Sequence, residues 1–441
     1  MNDSDYKAEL EKLFVRFPSV QNVGFNGAYK PGLDNMERFC ALLGHPEKDV
    51  RWIHIAGTNG KGSVANMIAS ALAAKGLSVG LYTSPHILDF RERMRIIDGR
   101  KARTKAELIG KEEVQDFICS YREDFDRLSL SFFEITTGMA FKWFNDRKVD
   151  IAVLETGLGG RLDSTNVVTP LLSIITSIGL DHCSLLGNTR AEIAAEKAGI
   201  FKKGVPALIG SRDDETAPVF EQQAQSLEAP LHFADSADAP GWDRSGAMLA
   251  EMDLQGCYQR ENLRTVLAAL ALIRINFDDD IAEAICRTAA RMDFHGRWEL
   301  IGRCPDMICD IGHNPPALKQ NFAQLRSYLE QGRYRRLIIV YGVMADKDLD
   351  GILPLMPEEA QYILVAPDTP RAMPSAALYD HCRKYWEQCG RKPSSLIDAG
   401  KVANGLMLAK ERAAGNDDTL IYVGGSTFVV SEAISLNEEW E

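Results

Sequence analysis

The sequence predicts an α/β protein in two parts. A larger domain is built on a mostly parallel sheet covered by helices, and a smaller α/β domain follows it. Three observations predict this. Apolar runs of strand length alternate with helical stretches along most of the 441 residues. A glycine-rich turn joins a strand to a helix early in the chain, at 57–63. The alternation pauses at "DFHGRWELIG" (293–302) and then resumes. That pause sets a boundary near Arg297 and predicts domains 1–296 and 297–441.

The elements follow in order. "RWIHIA" (51–56) reads as a buried strand, and "SVANMIASALAAK" (63–75) as an Ala-rich helix closed by Gly76. "SVGLYT" (78–83) is the next strand and "EITTGMAFKWFND" (134–146) a helix. "VDIAVLE" (149–155), "LLSIITSI" (171–178) and "VPALIG" (205–210) read as strands, with "TRAEIAAEKAGIF" (189–201) as a helix. Near-continuous apolar strands between helices indicate a parallel sheet buried on both faces. Residues 211–258 are less regular and read as surface loops or short strands. "RENLRTVLAALALIRI" (260–275) is a strong helix. Beyond 302, "DMICDIG", "RRLIIVYGV", "AQYILVAP" and "DTLIYVGG" read as strands, each followed by helical sequence.

Composition narrows the function. The chain is 45% hydrophobic and 25% charged, with a formal net charge of −12. That charge argues against a protein that coats nucleic acid or an anionic membrane, while leaving room for a local basic pocket. Nine cysteines are scattered without a C-x-x-C pair, which predicts reduced thiols rather than a disulfide framework or zinc site. No run approaches the length of a membrane span, and "MNDSDYKAELEKLF" is acidic and amphipathic, unlike a signal peptide. A cytoplasmic enzyme is the expectation.

The turn "GTNGKGS" (57–63) resembles a phosphate loop with a displaced lysine. The common pattern puts Lys after the second spaced glycine. Here Lys61 precedes Gly62, and Ser63 follows it. The context is still that of a phosphate loop: a buried strand leads in and a helix leads out. Glycines allow close backbone approach to an anion. The helix N-terminus offers unpaired N–H groups and a positive dipole end. Lys61 supplies charge for the phosphates, and Ser63 a hydroxyl for a metal ion. The bland alternative is a tight strand–helix turn with an incidental lysine.

Read with "LYTSPHILDFRERMRI" (81–96), "SFFEITTGMAF" (131–141), "LETGLGGRLDSTN" (154–166), "GLDHCSLLGNTRAEIAAEKAGIF" (179–201), "HGRWE" (295–299) and "DIGHNP" (310–315), the chain resembles folylpolyglutamate synthase/dihydrofolate synthase, within the Mur ligase superfamily. These segments occur in family order and span most of the chain. The resemblance implies a P-loop-type first domain and a Rossmann-like second one. It also implies a reaction: ATP phosphorylates a carboxylate of a pterin substrate, and the amine of L-glutamate displaces the phosphate to form an amide. Such chemistry needs positioning, metal ions and positive charge rather than a nucleophilic side chain.

Residue roles follow from the resemblance. Lys61, His182 and Lys197 would be catalytic, with Lys197 carboxylated by CO₂. Asn59, Gly60, Lys61, Gly62, Ser63, Asn262, Arg297 and Asp310 would bind ATP. Ser63, Ser84, Glu155 and His182 would hold Mg²⁺ at two sites. Glu155 also stands out physically, since it ends an apolar parallel strand, where α/β folds bind ligands. For Lys197 the alternative is a solvated helix lysine paired with Glu192 or Glu196. On the pterin side the resemblance implies Gly32 and Leu33 of "KPGLDN", Ser131, Phe132, Phe133 and Glu134, and Leu162, Asp163 and Ser164. Phe132 and Phe133 would stack on a flat heterocycle unless they belong to the core. His313 and Ser426 would bind the incoming glutamate. Arg91, Arg93, Arg95 and Arg161 would supply local positive charge, or else form a solvated basic loop.

Three positions depart from the family pattern. Cys183 follows His182 where a hydroxyl is common, Gly312 stands where alanine is usual, and "HGR" replaces the commoner "PGR". Partners would be ATP, L-glutamate and dihydropteroate or a reduced folate, with no nucleic acid or membrane, and the protein would be a monomer. Other readings are a different Mur-type amino-acid ligase, or a non-catalytic ATP-binding switch. Only 56 residues precede Gly57, too few for the nucleotide-sugar domain that peptidoglycan-precursor ligases carry there. A switch has no need of Glu155, His182 and Lys197 together.

Overall fold

The structure is a computed structural model and describes residues 3–18, 32–101, 104–236, 240–390, 393–414 and 418–440. The chain divides into two compact units. One comprises Met1–Asp253 with Tyr258–Phe294, and the other Leu254–Cys257 with His295–Glu441. Among the described residues no helix is long and apolar enough to cross a membrane. All nine cysteines are free thiols.

The first unit holds an eight-stranded sheet. Its strands are β1 (Trp52–Ala56), β2 (Ser78–Tyr82), β3 (Met94–Asp98), β4 (Glu107–Leu108), β5 (Ile151–Glu155), β6 (Leu172–Ile175), β7 (Ala207–Ile209) and β8 (Leu231–Phe233). They lie in the order β4-β3-β2-β5-β1-β6-β7-β8. The run from β2 to β8 is parallel, while β3 pairs antiparallel with both β2 and β4. Every residue of β1, β2, β5, β6 and β7 is buried. Burial on both faces explains their unbroken apolar runs. The parallel strands β2, β5, β1 and β6 therefore end along one edge, and the turns leaving them face the same side. In open α/β sheets ligands bind at such an edge.

The core beneath this edge is aromatic. Trp52 of β1 packs against Phe141 at 4.8 Å between ring centroids. Phe141 lies on the helix Phe132–Asp146, which starts two residues before the predicted span. Segment 211–258 departs from expectation. The short strand β8 fits that reading, but the helices Ala217–Ser226 and Ser245–Glu251 lie beside it. Both helices are short and place few apolar residues inside, so their periodicity is faint in the sequence.

The second unit holds a six-stranded sheet in the order β13-β12-β11-β14-β10-β9. Its strands are β9 (Glu299–Gly302), β10 (Asp306–Asp310), β11 (Arg336–Tyr341), β12 (Gln361–Ala366), β13 (Ser395–Lys401) and β14 (Thr419–Gly424). β9 runs antiparallel to β10, and the others are parallel. β9 and β13 are the edge strands, with most residues only partly buried. That exposure leaves them without the apolar run that marks the other four.

Candidate active site

The turn 57–60 leaves β1, and its conformation needs glycine at two points. Gly60 has φ +86° and precedes the helix Lys61–Ala74. A Cβ on Gly57 would lie 2.0 Å from Thr176 Oγ1. Only a residue without a side chain permits such close backbone contact. The segment after β6 braces the turn. Thr58 N donates to Ser177 O at 2.8 Å, and Thr176 Oγ1 donates to Asn59 O at 2.6 Å. Asn59 N donates to Ser177 Oγ at 3.1 Å. The loop is thus held open as a cradle rather than collapsed into a turn.

Two lysines converge on it. Lys61 Nζ donates to Gly57 O at 3.1 Å and to Thr58 O at 3.3 Å, and stands 3.9 Å from Glu155 Oε1. Lys197 Nζ donates to the same Gly57 carbonyl at 2.9 Å. Lys197 is buried, so the solvated-helix reading fails. Its suggested partners are engaged elsewhere: Glu196 pairs with Arg161 at 2.9 Å, and Glu192 caps the helix at Thr189. Burial, with the nearby Lys61 charge, pushes the Lys197 amine down to about 7. A substantial neutral fraction at physiological pH follows.

These groups line one open cleft. Gly57, Thr58, Lys61 and Lys197 form one side, and Asp181, His182 and the turn 156–159 after β5 form the rest. His182 has a left-handed backbone, φ +53°. The side chain of Asp181 accepts from His182 N at 2.9 Å, and its Oδ2 lies 3.7 Å from His182 Nε2. Asp181 is thus part of the site although sequence reasoning passed over it. It was visible only as the neighbour of His182 in "GLDH".

Glu155 and Ser84 end adjacent strands. Ser84 N donates to Glu155 Oε2 at 3.3 Å, and Glu155 is buried. Ser63 is buried too, and its hydroxyl accepts from Gln259 Nε2 at 3.4 Å. Gln259 Oε1 in turn accepts from Asn262 Nδ2 at 2.8 Å, and Asn262 lies against Gly60. Gln259 therefore links two expected ATP and metal residues, and it too went unnoticed in the sequence. Carboxylate and hydroxyl oxygens of this kind are hard donors that suit Mg²⁺ or Mn²⁺. Among the described residues no three His, Cys, Asp or Glu side chains group as a metal site. A cation here would need hydroxyl, phosphate and water oxygens to complete its shell.

Most of the expected pterin-side residues make contacts within the fold. Phe132 is a core residue: its ring stacks on Phe14 at 5.2 Å, Phe90 meets it edge-on at 6.1 Å, and Arg93 lies over it at 5.3 Å. Phe133 is half-buried, beside Tyr82 at 5.8 Å and pressed against Gly157, where a Cβ would fall 2.6 Å from its ring. Ser131 and Glu134 form a capping box: Ser131 N donates to Glu134 Oε2 at 2.6 Å, and Glu134 N to Ser131 Oγ at 3.2 Å. Glu134 is buried in that role.

Asp163 is buried as well. It accepts from Leu158 N at 2.8 Å and Thr165 N at 3.0 Å, and so anchors the cavity turn. Ser164 is buried beside it, and Leu162 is half-buried. Gly32 and Leu33 precede the helix Asp34–Leu42, while Lys30 and Pro31 of the same motif lie outside the described residues. Arg93 and Arg95 are buried and hydrogen-bonded, to His86 at 2.9 Å and Asn66 at 3.3 Å respectively. They are not surface charge. Arg91 pairs with Asp89 at 2.7 Å.

In the second unit, Arg297 Nη1 donates to His295 O at 3.1 Å. Asp310 is buried at the end of β10 and accepts from Trp298 N at 2.9 Å. His313 Nδ1 lies 3.0 Å from Ile311 O. Ser426 is buried, and its hydroxyl accepts from Val429 N at 3.2 Å, as a helix cap does.

Comparison with known proteins fits this geometry. Residues 296–426 match the family described as Mur ligase, glutamate ligase domain. The chain is 34% identical over 405 residues to a dihydrofolate synthase/folylpolyglutamate synthase of Bacillus subtilis, covering 86% of this chain and 92% of that one. It is 33% identical over 420 residues to a probable bifunctional folylpolyglutamate synthase/dihydropteroate synthase of Haloferax volcanii, covering 92% of this chain but 48% of that protein. The chain thus spans about half the length of that relative. Among solved structures, the bifunctional folylpolyglutamate synthase/dihydrofolate synthase of Yersinia pestis, complexed with AMPPNP and a Mn ion, superposes with a TM-score of 0.79 at 27% identity over 98% of both chains. By these matches the chain belongs to the folylpolyglutamate synthase/dihydrofolate synthase family.

Proposed function

We propose that this protein is an ATP-dependent ligase that joins L-glutamate to the carboxylate of a pterin substrate, dihydropteroate or a folylpolyglutamate, and releases ADP and phosphate. The observation that carries this reading is the convergence of Lys61, His182 and Lys197 on one cavity at the carboxyl edge of a parallel sheet. The γ-phosphoryl group of ATP passes to the pterin carboxylate, and ADP leaves. The glutamate amine then attacks the acyl carbon, phosphate leaves, and the amine gives up its proton. Two anions must approach each other for the first step. Positive charge held at the meeting point, with water kept out, lowers that barrier.

Lys61 and the N–H groups of the loop 57–63 hold the phosphates, with Asn59, Gly60, Gly62 and Asn262 shaping the nucleotide cradle. Ser63, Ser84, Glu155 and His182 hold two Mg²⁺ ions. A divalent ion, when bound, supplies charge stabilisation to the transferring phosphoryl group. Lys197 is carboxylated: its buried amine has the lowered basicity that reaction with CO₂ requires. Phe133, Gly32, Leu33, Leu162 and Ser164 make the pterin side. In the second unit Arg297 and Asp310 bind ATP, and His313 binds glutamate. The protein acts as a monomer.

The test is ADP release by the purified protein with Mg²⁺ and ATP. Release requires both L-glutamate and a pterin acid, and Lys61→Ala removes it. Release indifferent to either acceptor, or retained in Lys61→Ala, overturns the reading.

A further inference from the structure

Asp310 ends β10, and its carboxylate is shared among three donors. Oδ2 accepts from Trp298 N at 2.9 Å. Oδ1 accepts from Gly312 N at 2.7 Å and from Asn321 Nδ2 at 2.7 Å. Trp298 directly follows Arg297, and its backbone is left-handed, φ +51°. Gly312 directly precedes His313. One carboxylate therefore ties the backbone of both segments, and Ile311 N donating to Gly296 O at 3.0 Å draws them together again.

Asn321 lies on the helix Pro315–Glu330 and is fully buried. Its amide donates twice, to Asp310 Oδ1 and to Tyr422 OH at 3.0 Å. Its own Oδ1 is buried with no hydrogen-bond partner among the described residues. A buried amide with one unsatisfied end is costly compared with an aliphatic residue of the same volume. What the site requires from position 321 is therefore the NH₂ group. Position 312 is matched to it. A Cβ on Gly312 would fall 2.8 Å from Asn321 Nδ2 and 2.9 Å from Asp310 Oδ1. Glycine leaves the space that the amide occupies.

We propose that Asn321 is a positioning residue that acts through Asp310 to hold Arg297 and His313 in place, and that Gly312 is the partner that makes room for it. The proposal rests on the assignment of Arg297 and His313 to ATP and glutamate. Removing Asn321 takes one donor from Asp310 Oδ1 and leaves that oxygen held less firmly. Adding a methyl at 312 displaces the same amide without deleting any polar group.

The experiment is a double-mutant cycle of Asn321→Ala and Gly312→Ala, read by glutamate- and pterin-dependent ADP release and by thermal unfolding of the full chain. Each single substitution raises KM for ATP and L-glutamate about tenfold. The thermal midpoint moves by only a few degrees. In the double variant Gly312→Ala costs less than it does alone, because the alanine at 321 vacates the space beside it and leaves only the approach to Asp310 Oδ1. If Asn321→Ala yields no folded protein, Gly312→Ala alone carries the same reading. Active variants with unchanged KM values, whatever their midpoints, overturn the proposal, as do additive losses in the double variant. An inactive wild-type chain instead overturns the functional assignment on which the proposal stands.

Discussion

Lys61 and Lys197 both donate to the carbonyl of Gly57, at 3.1 and 2.9 Å, and two full positive charges that close repel. The lower basicity of Lys197 eases the conflict. Lys197→Ala is expected to lose activity, and small carboxylic acids such as acetate are expected to restore part of it by filling the vacated space. Restoration by chloride at equal ionic strength would sink the carbamate assignment. None of this was legible in "AEKAGIF", since burial of a helix lysine depends on what the sheet edge packs against it. The place of Glu155, by contrast, was legible as the end of an apolar run, while His182 stood out only through the motif "GLDH". Another buried group contributes to the acid response. His54 on β1 is fully buried, and its Nε2 bonds to Thr165 Oγ1 at 2.8 Å. Burial, reinforced by the Lys202 charge, pushes it down to about 3 from an ordinary 6.5. The unfolded chain thus binds a proton below about pH 6.5 that the folded chain refuses until about pH 3. Stability contributed by neutral His54 is complete above that window and falls with pH inside it, by up to about 1.4 kcal/mol per unit. Urea midpoints measured from pH 7 to 4 should fall less steeply for His54→Gln than for the parent. Parallel slopes would refute this.

At the scale of elements, the helix Phe132–Asp146 shows how a family motif conceals a structural device. "SFFE" reads as a substrate segment, yet its serine and glutamate satisfy the helix's first N–H groups, and its first phenylalanine fills the core. Only Phe133 reaches the cavity wall, through Gly157. Ser131→Ala should therefore cost about 1 kcal/mol of stability, as lost N-caps do. KM for the pterin acid should stay unchanged. A large rise in that KM with stability intact would return Ser131 to the substrate side. The central parallel strands of both sheets were visible as apolar runs, because burial on both faces demands them. β3 and β4 were not: β3 carries Arg95 within its run, and β4 has only two residues. Edge strands such as β9 and β13 escaped for the same physical reason, since half-exposed strands carry mixed sequence.

For the whole molecule, the balance of charge is acidic, −12, while the cavity presents Lys61 and Lys197 to its ligands. Bulk charge therefore excluded nucleic-acid coating without excluding an anionic substrate. That substrate's identity turns on length. Dihydropteroate offers a carboxylate on its benzoate ring, whereas a folate offers one on a glutamate tail. Phosphoryl transfer demands that either carboxylate reach the same point beside Lys61. The two acids must then share that point while their pterin ends sit at different distances from it. Both are expected to support glutamate-dependent ADP release, and each should inhibit the other competitively. Initial rates with paired concentrations of dihydropteroate and tetrahydrofolate check this. Additive rates would require two separate carboxylate sites and contradict a single cavity. Turnover with one acid alone would narrow the enzyme to that branch, with the other acid still competing for the shared point.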